Sequence, residues 1–221
     1  MDKALAQRLT ELVSADQWLM DMLRAARACN LPAWVIGAGV LRNLVWDHLH
    51  GYSERTSARD VDLAYFDTID LQAEAEQEWE DRLCAALPNV PWAVKNQAAV
   101  HLWYERRFGY AVPPLESIEA AVATWPETAT AVAVRLLPND DLELIAPFGS
   151  SDLFAMILRR NPTRVPPEEY RRRHTSKRIR ERWPKVQILE KPAEQFVVLQ
   201  LLAKRPLTAD GVQTDQQPGF Q

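Results

Sequence analysis

Apolar positions recur at intervals of three and four through the first thirty residues, where Leu5, Leu9, Leu12, Val13, Leu19, Met22, Leu23 and Ala26 keep register except near Ser14 to Asp16. That spacing predicts one broken amphipathic helix or two short ones, with Ser14 or Asp16 capping the second. Asn30, Leu31 and Pro32 end it, because the residue before a proline is pushed away from helical angles. Residues 33–36 then read as a short buried strand closed by Gly37, and residues 40–50 as a helix with Gly51 as its C-terminal cap. After the polar loop YSERTSAR, residues 61–66 predict a strand on which Asp60, Asp62 and Ala64 share one face.

Residues 71–87 predict an acidic helix with Trp79, Leu83 and Leu87 facing inward and Glu74, Glu76, Glu78 and Glu80 in solvent. From 92 to 104 the chain alternates, which predicts a strand with Asn96 on one side and Lys95, Gln97 and His101 on the other. Ser117 caps a short helix, IEAAVATW, and residues 130–137 and 142–146 form a hairpin joined through Pro138, Asn139, Asp140 and Asp141. A helix over 152–158 and a proline-marked linker lead into a basic helix over 168–183. The order of elements gives an α+β fold, a small mixed sheet with helices packed against one face and an additional C-terminal helix. The expected domain is residues 1–190, with its core at about 31–158 and the basic helix at about 167–183. Residues 191–221 form an extension in which Phe196, Val197, Leu199, Leu201 and Leu202 can dock as a helix, and its polar end at 205–221 is expected to be disordered.

Composition narrows the class. A hydrophobic content of 47% over 221 residues is enough for a real core, and Cys29 and Cys84 stand too far apart for a disulfide framework or a zinc knuckle. A reducing cytoplasm fits that usage. No run of about 18 apolar residues occurs, which excludes a hydrophobic spanning helix. The net charge of -4 conceals an asymmetry: between 159 and 185 there are eleven Lys or Arg against three Glu, a local +8 that leaves -12 elsewhere. The basic segment, YRRRHTSKRIRERW, can meet substrate phosphates or cover the acidic body. A nucleic-acid role has less support, because no RNA-binding module or overall positive charge accompanies it. No serine nucleophile motif is present, and His48 and His50 do not share a helix face as zinc ligands would.

Two short patterns carry chemistry. A strand that ends in Gly37-Ala38-Gly39 and opens a helix presents bare backbone amides at the helix's positive end, where phosphate binds; Arg42 and Asn43 follow in the first turn. Asp60 and Asp62, two apart on a strand, emerge on one face roughly 6.5 to 7 Å apart. Paired carboxylates repel unless a cation joins them, and hard oxygen donors with open positions suit Mg²⁺ or Mn²⁺. Lys95, Asn96 and His101 are candidates for the pocket beside them.

Together the patterns resemble the polymerase-β-type nucleotidyltransferase superfamily, and VIGAGVLRN is similar to the Gly-Gly-x-Val-Arg-Asp turn of tRNA nucleotidyltransferases. Gly39 matches the second glycine, Arg42 the arginine and Asn43 the aspartate, while Ala38 stands where the first glycine would be. From about 10 to 190 the chain resembles a bacterial family of nucleotidyltransferase-like proteins, through WVIGAGVLRNLVWDHLHG, RDVDLAYFD, VKNQAAVHLWYERRFG, LIAPFGSSDLF and RRNP. The resemblance implies transfer of a nucleoside monophosphate from a nucleoside triphosphate by two metal ions on Asp60 and Asp62. The acceptor is a small molecule, a protein or an RNA end. It also implies a third carboxylate on a later strand, for which Glu143 fits the form best and Asp141 is the alternative. Without a third acid the chain is expected to bind a nucleotide or a partner and not turn over.

Overall fold

The computed structural model describes residues 2–190; the proposed extension 191–221, with its docking helix and disordered end, lies outside the described residues. Two helices open the chain, α1 (Lys3–Ala15) and α2 (Gln17–Cys29). Asp16 separates them by accepting the Leu19 amide at 2.8 Å, so the sequence's drift in register is a cap and not a bend. The central elements follow as β1 (Val35–Gly37), α3 (Gly39–His50), β2 (Val61–Tyr65), α4 (Ala73–Ala86) and β3 (Trp92–Asn96). After a 3₁₀ turn come α5 (Val100–Phe108), α6 (Ile118–Val122), β4 (Ala133–Leu136), β5 (Leu142–Ile145) and α7 (Ser151–Phe154). The chain ends with β6 (Ile157–Arg159), α8 (Pro167–Ser176), α9 (Ile179–Arg182) and β7 (Gln187–Leu189).

The first five strands form one mixed sheet in the order β3-β2-β1-β4-β5, with β2 and β3 parallel and the other pairs antiparallel. Alternation divides the sheet cleanly. Ile36, Leu63, Val94 and Val134 enter the large core with Leu9, Met22 and Leu83 from the helices, whereas Val35, Ala64 and Ala133 face the small helix α6. Because α6 covers only part of that second face, the positions of β2 and β3 beyond it stay open.

Three expectations fail for local reasons. The strand over 92–104 stops at Asn96, whose side chain accepts the Ala98 amide at 3.1 Å and turns the chain; Val100 and Tyr104, four apart, then bury a helical face while Leu102 points out. The helix over 152–158 ends after one turn, since Met156 takes a positive φ of 53° and redirects the chain into β6, which pairs with β7. The basic helix is broken into α8 and α9 by Arg178 at φ 51°. Two acids expected in solvent also have partners: Glu76 and Glu80 accept the Asn96 and Val94 amides at 2.9 and 3.1 Å, which satisfies the open edge of β3.

Gly37 is needed where β1 crosses β4. A Cβ there would lie 2.5 Å from the Val132 carbonyl and 2.8 Å from the Trp125 ring. Gly37→Ala is therefore expected to destabilise the fold by about 1–3 kcal/mol, read as a lowered denaturant midpoint with an unchanged slope.

Candidate functional site

The turn between β1 and α3 is strained where the sequence departs from glycine. Ala38 holds φ 54° and ψ -118°, a conformation that L residues rarely adopt, and its amide donates to Val132 O at 3.0 Å. α3 begins at Gly39 without a side-chain cap, so its first amides face outward. Arg42 is buried one turn in, its guanidinium 5.5 and 4.9 Å from the rings of Trp46 and Trp183. It donates to Asn43 Oδ1 at 2.8 Å. Burial pushes its pKa down to about 10, opposed by Glu127, and it remains cationic at neutral pH.

Asp60 arrives at the end of a loop that is fastened from below. Asp47 accepts from the Thr56 amide and hydroxyl and from Trp183 Nε1 at 2.7, 2.6 and 2.7 Å, and Arg182 donates to Ser57 O at 2.8 Å. Asp62 follows on β2, directly across from Ala93 of β3. Continuing the antiparallel register places Gly37 opposite it on β1. The Trp125 ring packs over Gly37, and Asp62 lines the cleft beside it. Burial, and after it the charge of Asp60, raises the Asp62 pKa, while Lys177, Arg173 and Arg42 oppose the rise.

A cleft of about 320 Å³ collects Ala38, Gly39, Asp60, Asp62, Arg173 and Lys177. A second hollow of about 450 Å³ shares Gly39, Asp60 and Lys177 and adds Arg42, Arg59, Arg178 and Arg182. The two ends of the chain thus meet: the glycine turn and the acids on one wall, the basic helices on the other. Arg173 is held there by Glu127, which is 3% exposed and accepts from Arg173 Nε at 2.9 Å and from Thr130 Oγ1 at 2.7 Å. Sequence reasoning missed Arg173, Lys177 and Thr130. The i, i+4 spacing of 173 and 177 was the available signal, masked by arginines on every other face of the helix.

The other expected site residues fall in different places. Asn43 lies in the second hollow beside Arg42, and Lys95 lines the cleft while pairing with Glu76 at 2.5 Å. Asn96 is turned away, its Nδ2 donating to the carbonyls of Asp67 and Asp70 at 2.8 and 2.9 Å. His101 sits on α5 with its Nδ1 buried and unpartnered. Glu143 does not join the acids: it lies on the edge strand β5, bonded to Arg135, three strand spacings or roughly 14 Å from β2. Asp141 is exposed in the hairpin turn, accepting from Asn139 Nδ2 at 2.7 Å.

Among the described residues no group of three or more His, Cys, Asp or Glu gathers as a metal cage. The pair that does converge fits an ion such as Mg²⁺, which is held by one or two carboxylates and completed by water and substrate phosphate. No helix among the described residues is long and apolar enough to cross a membrane.

The chain belongs to the nucleotidyltransferase family whose profile matches residues 24–188. Its fold is that of a polymerase-β-type nucleotidyltransferase. A solved structure described as a CCA-adding enzyme head domain superposes with a TM-score of 0.71 at 26% identity, covering 85% of this chain and 96% of that one. The Thermotoga maritima CCA-adding enzyme complexed with tRNA gives a TM-score of 0.52 at 17% identity, and a CCA-adding enzyme with CTP gives 0.51 at 16%. These two match 89% and 90% of this chain, which spans 45% and 46% of their length. No curated protein matches. Family and fold support an enzyme of nucleotidyl transfer in general.

The buried Glu127 carboxylate has a depressed pKa: burial would raise it, and Arg173, Lys177 and the Thr130 hydroxyl together bring it below the ordinary value. A depressed value means that its contribution to stability is present above the ordinary 4.5 and is lost as pH falls through the folded-state value. Glu127→Gln is expected to cost about 3 kcal/mol at pH 7, with the difference from wild type shrinking at acid pH, as measured by denaturant midpoints across pH.

Proposed function

We propose that the protein binds a nucleoside triphosphate with its triphosphate between the Gly39 turn and the basic helices and transfers the nucleoside monophosphate to an acceptor hydroxyl. The observation that carries this is the junction of the two hollows at Gly39, Asp60 and Lys177, where carboxylates for a divalent ion adjoin a cluster of cations for phosphate. Five basic side chains, Arg42, Arg59, Lys177, Arg178 and Arg182, line the second hollow against the single acid Asp60. That excess complements the polyanion and its pyrophosphate leaving group.

Asp60 and Asp62 are the residues to hold Mg²⁺ or Mn²⁺, which when bound would neutralise the phosphates and lower the pKa of an attacking hydroxyl. The amides of Gly39 and the following turn orient phosphate oxygens. Lys177, at the junction, neutralises charge as it moves toward the leaving group. Burial and the neighbouring Arg173 and Arg42 depress the Lys177 pKa, and bound phosphate would relieve that repulsion. Asp60→Asn with Asp62→Asn is expected to abolish metal-dependent pyrophosphate release while leaving the folding transition in place. Unchanged turnover in that double variant would sink the assignment.

A second reading is favoured by one observation: among the described residues no third acid gathers with Asp60 and Asp62. There the protein holds a nucleotide without transferring it. Ala93 occupies the facing position on β3, so Ala93→Glu places a third carboxylate on the same face. Tighter Mn²⁺ binding with new pyrophosphate release in Ala93→Glu alone is the result expected of a binding protein; release by the wild type is the result expected of an enzyme.

A further inference from the structure

A larger hollow, about 1010 Å³, shares Asp62, Lys95, Gln97, Trp125, Pro126 and Arg173 with the cleft and no lining residue with the second hollow, so the cleft lies between the two. Its far wall is aromatic. Tyr104 of α5 is its centre, with Trp103 stacked, Phe108 tilted and Tyr110 edge-on against it at ring-centroid distances of 5.9, 4.5 and 5.4 Å. The wall is braced before any ligand arrives: Tyr104 Oη donates to Arg164 O at 3.0 Å, Tyr110 Oη donates to the same carbonyl, and the Arg164 guanidinium lies 5.5 Å from the Tyr104 ring. Arg106 and Arg107 stand exposed on the last turn of α5 at the rim, and neither forms an ion pair among the described residues.

The chemistry of transfer assigns the two sides. Attacking and leaving oxygens lie in line across the α-phosphorus. If pyrophosphate departs toward Arg42, Lys177 and Arg182, the nucleophile must come from the opposite side, which is this hollow. We propose, on the nucleotidyl-transfer reading given above, that the aromatic hollow is the acceptor site and that it takes a small hydroxyl-bearing molecule with a planar ring and an anionic group. The ring stacks against the Trp103 wall and the anion meets Arg106 and Arg107. The volume is at the upper end of small-molecule sites. The lining sets Lys95, Arg106, Arg107, Arg164 and Arg173 against Asp62, Glu76, Glu168 and Glu169, a near balance of charge that suits one anionic group better than the continuous cationic track a long polyanion needs. In the step itself the acceptor oxygen forms a bond to the α-phosphorus as the bond between that phosphorus and the bridging oxygen breaks. Its proton passes to a cleft carboxylate and on to water, and pyrophosphate leaves.

The test loads the full chain with Mg²⁺ and a saturating non-hydrolysable ATP analogue, then titrates 3-hydroxybenzoate, uridine 5′-monophosphate and a single-stranded hexanucleotide by calorimetry. At least one of the two small probes is expected to bind wild type. Trp103→Ala and the double change Arg106→Ala with Arg107→Ala are each expected to weaken it about ten-fold, Trp103→Phe to retain most of it, and all variants to bind the ATP analogue as wild type does. The assignment is overturned if neither small probe binds, if binding ignores these variants, or if the hexanucleotide binds tighter than the mononucleotide with a steep salt dependence. Failure of the ATP analogue to bind wild type overturns the transfer reading as well; failure of the small probes alone overturns only the acceptor site.

Discussion

The contact between Glu127 and Arg173 makes one site out of two distant parts of the chain. A carboxylate with 3% exposure cannot remain ionised without a partner, and Arg173, 46 residues later, supplies the charge while Thr130 takes the other oxygen. α8 has little else to dock with. Its composition is strongly polar and only Tyr170 is fully buried, with its hydroxyl donating to Leu158 O at 2.8 Å. The Glu127 ion pair and the Tyr170 anchor together set where the helix lies, and Lys177, four residues past Arg173, lines the same cleft as Asp62. On the other wall Asp47 does the equivalent work, tying the Asp60 loop to Trp183 at the end of α9.

That division explains what could be seen in the sequence. The glycine turn and the paired aspartates are local patterns, set by strand alternation and by the helix that follows, and residues of both line one cleft. The hairpin of β4 and β5 was equally local. Position 143 was different, because its form, an acid between two leucines on a strand, is shared by any half-exposed strand; only the order β3-β2-β1-β4-β5 tells that β5 lies on the far edge. The alternation over 92–104 misled because Val100 and Tyr104 satisfy period two and period four equally well. What decided it was Asn96, whose side chain bonds four backbone groups that no reading of periodicity contains.

The wall of basic residues was legible as charge and illegible as direction. With arginines around most of its circumference, the helix over 168–183 offers no polar-to-apolar contrast by which to orient it. The break at Arg178 divides its work: α8 delivers Arg173 and Lys177 to the acids, while α9 puts Arg182 against the loop at Ser57 and Trp183 beneath Arg42.

The electrostatics of the cleft follow from that arrangement. Asp62 is disfavoured as an anion by burial and by Asp60, and Lys177 is disfavoured as a cation by burial and by Arg173 and Arg42. Each group is a poor ion alone and a better one beside the other, so the free site is internally compensated across the cleft. On the proposed function, a nucleotide carrying a divalent ion would place the cation against the acids and the polyanion against the bases at once. Either alone would leave one wall uncompensated. Under the proposed function this would favour joint binding of ion and triphosphate over binding of either one.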